Sequence, residues 1–159
     1  MARFVVVLPL VPLTAGDEFT VADWPLHVTL VEPFQTELSP AVVSEVVGRA
    51  ASGAEVVLAT GGEAAMFGRR RDVPVTLVEE GGALTPLRDR ALAALGDAGV
   101  DFGRVRPDFR PHVTRKHGRQ VRPGEPVVLE TVALVDMHPA AGSHHRSVVA
   151  VWRLGAASV

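Results

Sequence analysis

The strongest constraint on the fold is a short segment that occurs twice, as Pro-Leu-His-Val-Thr-Leu at positions 25–30 and as Arg-Pro-His-Val-Thr-Arg at positions 110–115. In both copies a threonine follows a histidine two residues later, and apolar residues alternate with them. A period of two is typical of a β-strand, in which side chains two apart point to the same face, about 6.6 Å from one another. Each copy therefore predicts a strand with an imidazole and a hydroxyl on one face.

The chemistry of these segments depends on whether the fold brings them together. His27 and Thr29 share a face in the first copy, as His112 and Thr114 do in the second. A single histidine in a strand is most often structural, but two adjacent strands of this kind gather two imidazoles and two hydroxyls around one point. Acid–base chemistry at a phosphate requires such a set, because histidine titrates near neutral pH.

Length and composition predict one folded domain over residues 1–159. The chain is 47% hydrophobic and 21% charged, as is usual for a globular protein. It has no cysteine, which excludes disulfides, thiolate metal sites and a cysteine nucleophile. No apolar run has the length of a membrane span, and the first residues do not resemble a signal peptide. We expect a cytoplasmic monomer with no membrane partner.

The order of apolar runs and helix signals predicts an α+β fold. Ser39 and Thr85, each followed by a proline, are typical helix starts, and Gly53 and Gly99 are typical stops. A single helical turn is expected within 14–24. Strands are predicted at 3–8, 26–34, 55–60, 73–80, 126–137 and 146–154.

A weak internal repeat is present. The order strand, helical segment, His-x-Thr strand occurs over 3–30 and again over 73–115. It predicts two pseudo-symmetric lobes of mainly antiparallel strands, with helices outside and a central cleft that carries the two motifs. The glycine pairs at 61–62 and 81–82 match no phosphate-binding loop and predict turns.

Charge is distributed unevenly. A net charge of −2 argues against bulk nucleic-acid binding, yet residues 104–122 hold seven cationic side chains against the single carboxylate of Asp108, a local +6. A second cluster occupies 69–71. Such runs are either solvated loops or an anion-attracting rim, which would place phosphate capture on the side of His112. The seven are Arg104, Arg106, Arg110, Arg115, Lys116, Arg119 and Arg122.

The paired motifs resemble those of the 2H phosphoesterase superfamily, which includes 2′-5′ RNA ligases and RNA 2′,3′-cyclic phosphodiesterases. Residues 109–114, Phe-Arg-Pro-His-Val-Thr, are close to the family's usual second motif. Phe67, followed by the arginines at 69–71 and the strand at 73–78, resembles the family's central segment. The resemblance implies a metal-independent hydrolase without a cofactor. Its partner would be an RNA end or small nucleotide with a 2′,3′-cyclic phosphate, which it hydrolyses or reversibly ligates, as in RNA processing.

The resemblance also implies roles for individual residues. His112 would be the base that activates water, and His27 the acid that protonates the departing ribose oxygen. Lys116 shares the face of His112 if the strand continues, whereas Arg115 faces away; Phe67 suits core packing better than base stacking. The phosphate-binding candidates are Thr29, Thr114, Lys116 and Arg115, and the further substrate contacts are Phe67, Arg69 and His117.

Other interpretations remain open. The chain could be a non-catalytic RNA- or nucleotide-binding member of the same fold. It could also be an unrelated α+β domain, in which case His27 and His112 would lie far apart. His138, His144 and His145 flank a hairpin-like connection without a carboxylate among them, which favours a turn over a metal site.

Overall fold

The computed structural model describes residues 1–103 and 108–155, so that Arg104 and Arg106 of the basic run lie outside the described residues. Over these ranges the chain forms nine strands and two helices. The helices are α1 (Pro40–Ala51) and α2 (Leu84–Asp97). The strands are β1 (Ala2–Pro9), β2 (Glu18–Thr20), β3 (His27–Thr36), β4 (Val57–Phe67), β5 (Val73–Glu79), β6 (His112–Thr114), β7 (Pro126–Leu129), β8 (Thr131–Asp136) and β9 (His145–Arg153).

These strands form one antiparallel sheet in the order β2-β9-β8-β1-β3-β6-β5-β4-β7. The two motif strands, β3 and β6, are neighbours at its middle and pair at Val28 opposite Val113. Beyond this seam, β1 pairs with β3 and β5 pairs with β6, so that the two halves of the sheet mirror one another. The predicted α+β class, with two lobes that meet at the motifs, is confirmed.

The two faces of the sheet have different partners. The face that includes Val28 and Val113 packs against α1 and α2 and forms the main core. On the other face, a smaller apolar cluster that includes Trp24 and Val148 covers the half formed by β1, β8 and β9. Because the motif histidines and threonines alternate with the buried valines, they belong to this second face, away from the helices.

The first lobe differs from the prediction between β1 and β3. Residues 14–24 contain the strand β2, which the sequence does not predict, and the one expected turn is confined to 20–24, where the N–H groups of Asp23 and Trp24 donate to the Thr20 and Val21 carbonyls. The backbone of this segment is bound to β9 instead: the N–H of Gly16 donates to the Val148 carbonyl, and the N–H of Val148 donates to the Asp17 carbonyl, each at 2.8 Å. Tertiary pairing of residues 16–20 with β9, which lies roughly 130 residues later in the chain, overrides the local preference of this segment.

The glycine pair at 61–62 lies inside β4 at a bulge, so the predicted turn there is wrong. The N–H of Gly61 donates to the Glu125 carbonyl at 2.8 Å, and a Cβ on Gly61 would collide with the Arg122 carbonyl oxygen. Glycine is needed because two backbones meet closely. The pair at 81–82 is a turn as predicted, with φ of 65° and 78°.

The strand predicted over 126–137 is two strands. β7 pairs with β4 in one lobe, whereas β8 pairs with β1 and β9 in the other, and Glu130 alone separates them in the chain. The sheet therefore curls enough to bring its β7 edge close to β8. Apolar residues run almost without interruption through both pieces, which is why the sequence does not mark the break.

The helix starts are set by different caps. Ser39 accepts a hydrogen bond from the Val42 N–H at 3.2 Å, as its position before a proline predicts. The second helix begins at Leu84 with Ala83 at the cap position, so the cap predicted at Thr85 is wrong; the first N–H of the helix, that of Leu84, donates to the Glu80 carboxylate at 2.8 Å.

A buried arginine of α2 contacts both motif segments from the core side. Arg88 is only 3% exposed, and its Nη1 donates to the Leu30 carbonyl at 2.7 Å and to the Glu32 carboxylate at 2.9 Å. Its guanidinium also lies 4.7 Å from the ring centroid of Phe109. Leu30 directly follows the first motif, and Phe109 precedes His112 by three residues, so one side chain ties both segments to the helix.

Replacing Arg88 by methionine tests this tie. We expect the free energy of unfolding to fall by about 2–3 kcal/mol, because the Leu30 carbonyl loses a buried donor and Glu32 loses its partner. Urea titration followed by circular dichroism measures the change. Arg90→Met is the matched control, since Arg90 is exposed on the same helix and donates one hydrogen bond, at 3.2 Å, to the Ala50 carbonyl. Equal losses in the two variants would contradict the tie.

Candidate active site

The pairing of β3 with β6 gathers the four polar side chains of the motifs. The middle residues of the two motifs, Val28 and Val113, are paired in antiparallel strands. His27 therefore lies across from Thr114, and Thr29 lies across from His112. The two histidines are then diagonal neighbours across the seam, as the two threonines are, and diagonal neighbours in such a pair lie about 7–8 Å apart. The far-apart histidines expected of an unrelated domain are not found.

Both imidazoles are held in the same way by the backbone. The Nδ1 of His27 lies 2.8 Å from the Pro25 carbonyl oxygen, and the Nδ1 of His112 lies 2.8 Å from the Arg110 carbonyl oxygen. A carbonyl only accepts, so each Nδ1 carries the hydrogen. The Nε2 atom of each ring is left available to accept or donate a proton elsewhere.

The aromatic neighbours of the two histidines differ. The Trp24 ring stacks on His27, with 4.1 Å between centroids and 27° between planes. The Phe67 ring meets His112 edge-on, at 4.5 Å and 64°, and the Arg110 guanidinium lies 5.0 Å from the Phe67 centroid. Phe67 is half-buried on the site face, so it packs against a candidate catalytic side chain and not in the core.

Trp24 is a site residue that the sequence interpretation missed. Its position three residues before His27 was the available signal. That signal is ambiguous, because Phe109 stands three residues before His112 and yet packs against Arg88 on the core side.

The surroundings of His27 disfavour its charged form. Loss of water around the buried ring lowers the pKa of His27 from its usual 6.5 to about 4, and the positive charges of Lys116, His112 and Arg146 add to the effect. The hydrogen bond to the Pro25 carbonyl opposes it in part. His27 is therefore neutral at neutral pH, with a free lone pair on Nε2.

The chain turns sharply after the second motif. The backbones of Lys116 and Arg119 exchange hydrogen bonds of 2.9 and 2.8 Å around His117 and Gly118, whose φ values are 45° and 79°. Positive φ at both central residues defines a type I′ turn. β6 ends at Thr114, so Lys116 is not on a continuing strand.

This turn places the side chains of Lys116 and Arg119 across the β3–β6 seam, next to the segment that precedes the first motif. The Nζ of Lys116 donates to the Val21 carbonyl at 3.3 Å and lies 5.5 Å from the Trp24 ring centroid. Arg119 donates to the Trp24 carbonyl at 3.4 Å, and the Arg146 guanidinium lies 5.4 Å from the Trp24 ring. Lys116 and Arg119 of the basic run, together with Arg146, therefore lie around the tryptophan that stacks on His27, whereas Arg110 stays on the His112 side against Phe67. Burial, with the nearby charges of Arg146 and Arg119, lowers the pKa of Lys116.

The remaining candidates lie outside this cluster. Arg69 is exposed in the turn between β4 and β5. Arg115 and His117 are exposed and border a groove of about 510 Å³ next to the motif face. A depression of about 660 Å³ near Phe34 and Phe102 has no motif residue in its lining.

Within the described residues, no group of three or more His, Asp or Glu side chains is arranged to hold a metal ion. His144 and His145 stand where β9 begins, and His138 lies in the loop before it. Neither α1 nor α2, the helices of the described ranges, is long and apolar enough to span a membrane.

Comparison with known proteins relates this chain to nucleotide-binding structures. A family model described as "2'-5' RNA ligase superfamily" matches residues 13–143. E. coli LigT complexed with 3′-AMP has a TM-score of 0.65 and 18% identity, with 98% of this chain and 99% of LigT covered. LigT has also been solved in complexes with NADP⁺, phosphate and ATP.

Two further structures are similar. One is described as a phosphoesterase, with a TM-score of 0.64, 21% identity and coverage of 96% and 98% of the two chains. The other is TT0787 of Thermus thermophilus, with a TM-score of 0.61, 16% identity and coverage of 96% and 97%. At these identities the structures establish a shared fold. No curated protein matches the chain.

The low pKa of His27 makes stability depend on pH. Its pKa is about 4 in the folded chain and about 6.5 when unfolded, so the unfolded state binds the proton more readily between these values. The contribution is fully present above pH 6.5 and is lost as the pH falls towards 4, by at most about 3 kcal/mol.

Urea titrations at pH 7 and pH 4.5 measure this loss. We expect the decrease in unfolding free energy between the two pH values to be smaller in His27→Asn than in wild type. His138→Asn removes an exposed histidine but keeps His27, and should retain the full decrease. A decrease that is the same in His27→Asn and wild type would contradict a neutral, desolvated His27.

Proposed function

Because the chain belongs to the 2′-5′ RNA ligase superfamily, we propose that it is a metal-independent phosphoesterase acting on 2′,3′-cyclic phosphates of RNA ends or small nucleotides. The observation that carries this proposal is the diagonal pair formed by His27 and His112 across the β3–β6 seam, with each Nδ1 bound to a main-chain carbonyl. The complexes of E. coli LigT with 3′-AMP, NADP⁺ and ATP support a nucleotide-sized substrate.

In this proposal a phosphate sits between the two Nε2 atoms. One imidazole takes a proton from water, and the water oxygen attacks phosphorus. The bond from phosphorus to the ribose 3′ oxygen breaks, and the other imidazole gives its proton to that oxygen, which leaves a 2′-phosphate. Solvent then restores the starting protonation states. Ligation uses the same base and acid in the same order, with an RNA hydroxyl in place of water as the attacking group.

The roles of the two histidines follow from their surroundings. A base must be neutral before the reaction, and the buried, tryptophan-stacked His27 is neutral at neutral pH because its pKa is lowered to about 4. We assign the base role to His27 and the acid role to His112. This is the reverse of the assignment that the family resemblance suggested.

Three further groups are proposed to hold the phosphate oxygens. The hydroxyls of Thr29 and Thr114 are diagonal neighbours on the same face as the histidines, and Lys116 supplies a positive charge that acts on His27. Such donors stabilise the charge that develops on the non-bridging oxygens. Phe67, which lies against His112, is proposed to contact the sugar or base of the substrate.

The proposal takes residues 1–159 as one catalytic domain that acts as a monomer in the cytoplasm. One sheet whose two halves meet at the site supports a single domain, since neither half contains both histidines.

Hydrolysis of adenosine 2′,3′-cyclic phosphate in EDTA tests the function directly. We expect adenosine 2′-phosphate as the product, with kcat lowered about 10²- to 10⁴-fold by His27→Ala or by His112→Ala. His138→Ala, a variant of an exposed loop histidine, is the control and should keep wild-type activity. Full activity in the double variant of His27 and His112 would overturn the proposal. Tight binding with no product would instead favour a non-catalytic nucleotide-binding protein.

The pH dependence of kcat/KM tests which histidine is the base. We expect the acid limb of the profile near pH 4 in wild type, because kcat/KM reports the free enzyme and His27 must be neutral. Trp24→Leu exposes the His27 ring to water and should move this limb towards pH 6.5. Circular dichroism at each pH ensures that the protein is folded. A wild-type acid limb near pH 6.5, unmoved by Trp24→Leu, would contradict the assignment.

A further inference from the structure

A groove beside the motif face has a lining rich in cationic groups. Three segments form it: the end of β2 with the turn after it, the chain from Arg115 to His117, and the loop before β9. The groove has a volume of about 510 Å³. Its lining residues are Thr20, Val21, Ala22, Arg115, Lys116, His117 and His144.

The groove is built on backbone hydrogen bonds and not on mobile side chains alone. The N–H of Val21 donates to the His144 carbonyl at 2.9 Å, which joins two of its walls. The N–H of Arg115 donates to the Pro74 carbonyl at 3.0 Å, and the type I′ turn holds the third wall. Four of its seven lining side chains carry a guanidinium, an ammonium or an imidazole, and none carries a carboxylate.

One carboxylate lies near this groove. The hydroxyl of Thr20 donates to the Asp23 carboxylate at 3.0 Å, and Asp23 is not part of the lining. The lining therefore presents hydrogen-bond donors, as an anion requires.

Lys116 connects the groove with the candidate active site. Its ammonium group lies 5.5 Å from the ring of Trp24, which stacks on His27, and the same side chain lines the groove. Lys116 is two residues beyond Thr114, hence at most about 7 Å further along the chain. A substrate with its cyclic phosphate at the histidines thus has the groove within reach of its next charged group.

We propose that this groove binds a second phosphate of the same substrate, the 5′-phosphate of the nucleoside whose cyclic phosphate lies between the histidines. In a mononucleotide this group is a phosphomonoester, and in an RNA chain it is the phosphodiester to the preceding nucleotide. This assignment rests on the proposed function and adds a substrate preference to it. Arg115 and His144 are assigned to this second phosphate, with Lys116 between the two phosphates.

Three nucleotides separate the possible sources of the second phosphate: adenosine 2′,3′-cyclic phosphate, the same compound with a 5′-phosphate, and a diadenosine with a cyclic end. Their Kd values are measured by calorimetry in a His112→Ala background, in which we expect turnover to be slow. We expect both compounds with a second phosphate to bind about tenfold more tightly than the first, a gain that shrinks as salt increases. A gain confined to the phosphomonoester would limit the groove to free 5′-phosphates.

Substitutions in the groove test whether its residues cause the tighter binding of nucleotides with a second phosphate. Arg115→Gln and His144→Gln should each reduce the ratio of Kd values between the singly and doubly phosphorylated nucleotides. Arg153→Gln is the matched control, because Arg153 is exposed at the far end of β9, about 26 Å from its first residue.

The outcomes distinguish this assignment from the proposed function. The first outcome is a ratio near one between the Kd values of nucleotides without and with a second phosphate in the His112→Ala background. If wild type still turns over adenosine 2′,3′-cyclic phosphate, this outcome would overturn the assignment of the groove to a second phosphate and leave the proposed function standing. A ratio that Arg153→Gln lowers as much as His144→Gln would also overturn it. If none of the three nucleotides binds and wild type does not turn over adenosine 2′,3′-cyclic phosphate, both assignments fail.

Discussion

The candidate site depends on the register of one short strand. β6 has only three residues, and its middle residue, Val113, is held between Val28 of β3 and Thr76 of β5. The hydroxyl of Thr76 donates to the Val121 carbonyl at 2.6 Å, which fixes the chain that returns from the type I′ turn. A slip by one residue would send the second histidine and threonine to the core face and Val113 to the site. Burial of Val113 against the helices is what excludes that slip.

On this symmetric frame the two halves of the site are chemically different. The same backbone contact holds both imidazoles, but His27 is stacked under Trp24 with cations around it, whereas His112 meets only the edge of Phe67. Two imidazoles held alike but in different surroundings, one of them neutral because its pKa is lowered, are what a reaction that moves one proton each way can use. The asymmetry comes from the 10–24 segment and the turn after β6, together with Phe67 at the end of β4 and Arg146 near the start of β9.

Much of this was accessible from the sequence, and the exceptions have physical reasons. The period-two runs predicted the motif strands, and Ser39 before a proline predicted the start of α1. The position of Lys116 was not accessible, because it depends on a turn at His117-Gly118 that reverses the chain towards a loop some 95 residues earlier. Trp24 was missed for the same reason: its stacking on His27 comes from tertiary packing, and Phe109 at the equivalent spacing packs elsewhere.

Both imidazoles are proposed to contact oxygens of one phosphate group, on opposite sides of its phosphorus atom. A crystal structure with a nucleoside vanadate, a mimic of the five-coordinate phosphorus, measures this most directly. We expect the Nε2 atoms of His27 and His112 within about 2.6–3.2 Å of two oxygens on opposite sides of the vanadium. Vanadate bound by one histidine alone, or bound away from the β3–β6 seam, would contradict it.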